Sequence, residues 1–362
     1  MSGSEWESTD AEAWLHRWWH GGGGAAGSAL SILMLPAEAL FRATVLLRNR
    51  AYDIGLLAST PGPLPVISVG NLVVGGTGKT PVTAWLAERL ERHGHRPAIV
   101  TRGYGRDEIE LHRRWNPAVP VIVAPKRLDG VKEAAETGRS VVVVDDGFQH
   151  RALRRTRDVV LVAAEDPLPP KLLPRGPYRE PFSALRRADL IIVTRRVATP
   201  AHADDVVARI RAAGVESAMM RIRLIPTGWT DLRGAEAPPP RGRILAVSAI
   251  ARPDVFHQLL RDHGYLDLAS LSFPDHHEYS RTDAETIETA AQGRTLVTTE
   301  KDAVKLQAFG NRLGKGRVLR LGIELEEGAE ALQRLLSAAG AAGTVRTETK
   351  PLEQTDREVN GA

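Results

Sequence analysis

The stretch "ISVGNLVVGGTGKTPVTAWLAERL", Ile67 to Leu90, decides the fold. It opens on a Val/Ile-rich run, falls into a glycine cluster, reaches Gly78-Lys79-Thr80, and continues with Val82, Trp85, Leu86 and Leu90 at helical spacing. A strand, a tight turn and a helix in that order aim backbone N–H groups and the positive end of the helix at one point, where phosphate oxygens bind. Gly75, Gly76 and Gly78 let the backbone converge, Lys79 supplies a point charge to β- and γ-phosphates, and the Thr80 hydroxyl can ligate magnesium. Val73, Val74 and Thr77 complete the expected nucleotide-binding loop. Val73 stands where the full motif has its first glycine, so the match is to the core GGTGKT. A glycine-rich turn between strand and helix is the plainer alternative; Gly-Lys-Thr at the junction favours the phosphate cradle.

Outward from this stretch, short apolar runs alternate with helical patterns. Pro65–Val69, Pro97–Val100, Val119–Val123, Val141–Val144, Val159–Val162 and Leu190–Val193 read as buried parallel strands. The expected fold class is α/β, a P-loop NTPase-like parallel sheet domain over 51–196 with a second, smaller α/β domain over 243–340. Residues 197–242, with a composition change near Thr194 and three consecutive prolines at Pro238 to Pro240, are expected to be a linker region. In the second domain Ile244–Val247, Ala269–Phe273 and Thr295–Thr298 read as strands, and Asp254–His263 and Thr282–Ala291 as helices. The polar stretch 341–362 is expected to be a disordered tail.

Composition narrows the function classes. A chain of 362 residues with 43% apolar and 25% charged residues suits a folded protein large enough for two cores. Forty-eight basic against 44 acidic residues is too small an excess to argue for nucleic acid as the main partner, and it suits an anionic ligand or membrane surface. The absence of cysteine excludes disulfides, thiolate zinc sites and cysteine nucleophiles, and accords with a reducing cytoplasm.

Residues 1–50 form an amphiphilic leader. Four of the seven tryptophans, Trp6, Trp14, Trp18 and Trp19, precede the run Gly21 to Gly24 and an apolar segment. Ser28 to Leu47 has the length to span a bilayer, but Glu38, Arg42 and the central Pro36 favour a helix lying in the interface. Acidic residues come before the apolar part and arginines after it, against a secretory signal. Packing on the protein's own core is the alternative.

Three further segments carry chemistry. "SVVVVDDGFQH" places Asp145 and Asp146 at the end of a strand, a Walker-B-like arrangement that can hold magnesium, with Gln149 and His150 over the same crevice. "TRGYGRDE" gathers Arg102, Tyr104, Arg106, Asp107 and Glu108 into one loop, and "FPDHHEYS" puts Asp275, His276 and His277 after a strand.

Taken with "LLPRGPYREP" and "VTTEKDAVKL", these motifs in this order resemble the tetraacyldisaccharide 4′-kinase family, from about Leu35 to about Leu336. The resemblance implies ATP- and magnesium-dependent transfer of the γ-phosphoryl group to the 4′-hydroxyl of a lipid A disaccharide precursor. It also implies two α/β domains with the site between them and an amphipathic helix on the cytoplasmic face of the inner membrane. By position the family's catalytic aspartate falls on Asp107 and its helper histidine on His276, a pair able to take a proton from a sugar hydroxyl. Thr80, Asp145 and Asp146 are the implied magnesium ligands, and Tyr104, Glu108, Arg127, Gln149, His150 and Arg151 match positions near the substrates. The chain departs from the pattern where Asp107 follows Gly105 by two residues instead of a longer loop, and where Ile109 replaces a proline. A P-loop regulatory protein and a kinase for another amphipathic acceptor stand as alternatives; oligomeric state is open.

Overall fold

The structure, a computed structural model, describes residues 10–103 and 105–341. The leader forms α1 (Asp10–Trp19), α2 (Gly24–Leu33) and α3 (Leu35–Asp53). The segment expected to be one interfacial helix is broken at Met34, with α2 and α3 bent by 50°. Pro36 lies in the first turn of α3, where a missing N–H leaves no helical bond unmade. No single described helix is long and apolar enough to cross a membrane.

The first half then runs β1 (Val66–Asn71), α4 (Lys79–Arg92), β2 (Pro97–Thr101), α5 (Arg106–Trp115), β3 (Val121–Val123), α6 (Arg127–Glu136), β4 (Val141–Asp145), β5 (Arg157–Ala163) and β6 (Leu190–Arg195). Next come α7 (Pro200–Ala212) and β7 (Ala218–Thr230). The second half holds β8 (Ile244–Ser248), α8 (Pro253–Asp262), β9 (Leu268–Ser272), α9 (Arg281–Ala291), β10 (Thr295–Thr299), α10 (Glu300–Leu306), α11 (Gly310–Leu313), β11 (Arg317–Glu327) and α12 (Ala329–Ala341).

Among the described residues eleven strands make one sheet, in the order β3-β2-β4-β1-β5-β6-β7-β11-β10-β8-β9. Every pairing is parallel except that of β7 with β11. The region expected to be a linker is therefore ordered as a helix and a long strand. Ala203, Val206 and Ile210 bury one face of α7, and Met220, Ile222 and Leu224 alternate inward along β7. The three prolines come after β7, outside the ladder. The last helix returns to the first half: Leu332, Leu335 and Leu336 of α12 share a core with Val82, Leu86 and Leu90 of α4.

Because the strands around β1 and around β8 are parallel, the loops at their carboxyl ends are the ones that meet. Loops after β1, β4, β5, β6, β8, β9 and β10, with one side of α5, wall a cavity of about 480 Å³ between the halves. On the outer face, Leu40 and Leu47 of α3 are each 71% exposed, and Ile32, Leu33 and Leu56 stand out beside them. The opposite face of α3 buries Glu38 and Asn49.

Candidate active site

The glycine cluster bends as its composition requires. Gly75 and Gly78 adopt φ of +109° and +88°, a region that favours glycine, and Gly78 is the N-cap of α4, so Lys79 and Thr80 open the helix. A Cβ on Gly78 would lie 3.0 Å from Leu224 of β7. Asn71, at the end of β1, donates from Nδ2 to Thr77 Oγ1 (2.9 Å) and accepts from Lys79 Nζ at Oδ1 (3.1 Å). From β6, Thr194 Oγ1 donates to the Thr77 carbonyl and Arg196 to that of Gly76. The loop is thus held from β1 and from the end of β6, and all of Val73 to Thr80 lines the cavity.

Beside it, Asp146 has φ +50° and turns its carboxylate to Lys79 Nζ (3.4 Å) and Arg179 NH2 (3.2 Å). Burial works against ionisation, but these two cations hold the carboxyl down at about 2. Arg179 also donates to Asn71, closing a ring of polar contacts under the loop. Asp145 is buried, accepting from Thr83 Oγ1 (3.2 Å) and standing 3.3 Å from His112 Nε2. Thr80, Asp145 and Asp146 offer only oxygen, the donor set magnesium takes. Among the described residues no group of three or more His, Cys, Asp or Glu could hold a metal unaided.

Across the cavity the two halves meet at Asp107. Gly105 caps α5, placing Asp107 and Glu108 in its first turn, where carboxylates suit the helix dipole. The Asp107 side chain is 1% exposed, with His276 Nδ1 at 3.8 Å, Lys301 Nζ at 3.8 Å and Lys305 Nζ at 3.3 Å. Burial would raise its pKa, but His276 and the two ammonium groups hold it well below the usual carboxylate range. Asp107 in turn raises His276, against the effect of burial. His276 has φ +61° and its backbone N–H donates to the Ala249 carbonyl and to Asp275 Oδ1. Glu108 is pushed up by burial and by the charge of Asp145.

The remaining expected residues divide. Glu108, Asp146 and His276 line the cavity with the P-loop. Arg127 is buried, donating to the Asp145 carbonyl. Gln149 turns to the Asn71 carbonyl and Glu180, and Arg151 clamps α3 through the Asn49 carbonyl, Asp53 and the Tyr52 ring. His150 lies among cations; burial first, then Arg127, Arg155, Arg102 and Arg48, lower its pKa. Tyr104 lies outside the described residues, as does most of the expected tail.

Apart from Glu108, the residues that follow build the site but had no role in the sequence reading. Lys301 and Lys305 stand one turn apart on α10, a spacing visible in "EKDAVK". Glu108, Leu111 and Trp115 share the cavity-facing side of α5, and Trp115 donates to Glu300 (2.9 Å). Ile250, Val255, Phe256, Leu259, Leu319 and Leu321 give the cavity an apolar wall from the second half.

A family model described as "Tetraacyldisaccharide-1-P 4′-kinase" matches residues 30–116 and 107–340. The two matched pieces overlap on α5, directly after the shortened loop. The chain is 40% identical over 357 residues to the tetraacyldisaccharide 4′-kinase of Anaeromyxobacter dehalogenans, covering 88% of this chain and 93% of that one. It is 33% identical over 347 residues to the enzyme of that name from Chlorobium luteolum, covering 85% and 98%. Among solved structures, the "apo" form of LpxK from Aquifex aeolicus in complex with ATP matches with a TM-score of 0.67 at 28% identity, covering 85% of this chain and 99% of that one.

Proposed function

The chain belongs to the tetraacyldisaccharide 4′-kinase family, and from that membership we propose how its residues carry the reaction and where it takes place. The enzyme is a kinase of lipid A biosynthesis. The substrates in this reading are ATP and a tetraacyldisaccharide 1-phosphate, whose 4′-hydroxyl accepts the γ-phosphoryl group.

Val73 to Thr80 cradle the nucleotide phosphates, Lys79 leaving Asp146 to meet them, and the apolar wall of α8 and β11 receives the base. Thr80, Asp145 and Asp146 would hold magnesium, which neutralises charge on the β- and γ-phosphates. The acceptor hydroxyl lies between the P-loop and Asp107. As its oxygen bonds to phosphorus, the bond to the ADP oxygen breaks and the hydroxyl proton passes to the Asp107 carboxylate. A loose phosphoryl-transfer transition state asks little of base strength, so a carboxylate of depressed pKa serves, with His276 fixing its place. Arg48 and Arg102, whose charges reach His150, suit the 1-phosphate of the acceptor.

The exposed leucines of α3 rest on the cytoplasmic face of the inner membrane. Three side chains tie α3 to the site: buried Asn49 donates to Glu180, exposed Arg48 to the Gln149 carbonyl, and buried Glu38 accepts from Leu172 N. A lipid-borne hydroxyl is thereby delivered beside the catalytic loops.

The observation carrying this reading is the contact of buried Asp107 with His276, which lines one cavity together with the P-loop from Val73 to Thr80. A purified enzyme given γ-labelled ATP and a panel of lipid acceptors should label the tetraacyldisaccharide 1-phosphate and not acceptors lacking a free 4′-hydroxyl. Labelling of a polyprenol or another sugar lipid in its place would overturn the assignment.

A further inference from the structure

We propose that Lys301 is a catalytic residue whose ammonium contacts the γ-phosphoryl group of bound nucleotide from the second half of the sheet, opposite Lys79. The proposal rests on the kinase reading above but not on Asp107 being the base.

Lys301 is the second residue of α10, directly beyond the carboxyl end of β10, and it lines the same cavity as the P-loop. Its ammonium lies amid Asp107 (3.8 Å), Glu108 (3.6 Å), Asp275 (3.6 Å) and His276 Nε2 (3.3 Å). All four contacts are longer than a well-formed charged hydrogen bond. Three carboxylates keep the group cationic: burial opposes its charge, but Asp275, Glu108 and Asp107 raise its pKa. Lys301 is thus a charge shared among loose partners at the edge of an open cavity.

Lys305, one turn on, is different. It stands closer to Asp107 (3.3 Å), donates to the His277 carbonyl at 3.0 Å, and is 5% exposed against 20% for Lys301. Lys305 fixes Asp107 in place, while Lys301 has room to move. The other cations on the cavity wall are occupied: Arg196 holds the Gly76 carbonyl, Arg179 holds Asp146, and Arg252 holds the Glu165 carbonyl.

Phosphoryl transfer spreads negative charge over oxygens that one lysine on the P-loop cannot surround. Lys301 lines the cavity that the P-loop lines and touches His276, so a phosphoryl group passing from the P-loop toward the Asp107–His276 pair comes within its reach. As its ammonium moves to the γ-phosphoryl oxygens, Asp107 loses one of its two lysine neighbours and becomes a better proton acceptor. One side chain then joins arrival of the nucleotide to readiness of the base.

The test uses the full-length chain and two probes, ADP and the β,γ-imido analogue of ATP. Lys301→Met should weaken the imido analogue about tenfold or more and leave ADP unchanged, because ADP carries no γ-phosphate. Retained ADP affinity also shows that the variant is folded. Equal affinity for both probes in variant and parent, or equal weakening of both, overturns the proposal. In turnover, Asp107→Asn with Lys301→Met should be slower than Asp107→Asn alone; identical rates would mean that Lys301 acts only on Asp107 and would also overturn it. Near-normal turnover of Asp107→Asn would instead remove the base assignment, leaving the two nucleotide affinities to decide on Lys301.

Discussion

The Asp107 carboxylate on α5 lies 3.8 Å from Nδ1 of His276, on the loop after β9, so one ionic contact joins residues from opposite halves of the sheet. The separation exceeds a hydrogen bond, as is common for catalytic pairs without substrate. If the two work as one unit, Asp107→Ala, His276→Ala and the double variant should lose similar activity, with nucleotide binding intact in all three. Fully additive losses in kcat would show independent action.

The same contact has a titration consequence. Asp107 raises the pKa of His276 in the folded chain, so this interaction's stabilisation is fully present below the unfolded histidine value of roughly 6.5 and is lost as pH rises through the folded value. In Asp107→Asn the His276 ring should titrate at lower pH than in the parent, read from its NMR shifts. An unchanged or higher midpoint would contradict the pairing.

Lys79→Met should lower phosphoryl transfer by about a hundredfold or more while the melting temperature stays near that of the parent. Arg179 remains beside Asp146 in that variant, so no carboxylate is left alone. Near-normal turnover at saturating ATP would contradict the cradle.

Leu40→Glu with Leu47→Glu tests the outer face of α3. Each leucine entering the interface contributes about 1.5–3 kcal/mol, so the pair should weaken sedimentation with anionic phospholipid vesicles by tenfold or more and raise KM for lipid. KM for ATP should not move. Removing α3 altogether is a poorer test, because Leu172 N and Arg175 would lose Glu38. Undiminished vesicle binding would place the membrane contact elsewhere.

Gly70→Ala tests the packing behind the P-loop. A Cβ there would lie 2.5 Å from the Phe148 Cβ and 2.9 Å from its backbone nitrogen, so strand and loop must separate. The expected cost is about 1–3 kcal/mol, read from denaturant or thermal unfolding. A neutral change would mean that the DDGFQH turn yields easily.

Much of this was legible in the sequence where local chemistry is self-sufficient. Gly78-Lys79-Thr80 after a buried Val/Ile strand can do little but turn, and Val141 to Val144 can do little but lie inside a sheet. What was not legible depended on partners distant in the chain. α5 begins directly after Gly105, and its Leu111 and Trp115 acquire meaning only against α10, almost two hundred residues on. Arg151 and Gln149 read as substrate contacts because of their neighbours in sequence, yet α3 and Glu180 occupy them. The 197–242 region misled because its prolines were weighted above its periodicity: Ala203, Val206 and Ile210 already traced a helical stripe.

β7 gives the two halves a mechanical relation that a linker would not. It pairs with β6 on one edge and β11 on the other, so the cavity's two walls are joined by continuous backbone hydrogen bonds. Such a joint has the stiffness of a bent ribbon, resisting rotation in proportion to angle, where a loop would swing freely. Its compliant points are the register shifts between Arg320 and Leu321 and between Leu325 and Glu327, where the ladder to β7 is already irregular. Any change in the aperture of the cleft must therefore bend this ladder rather than a loop.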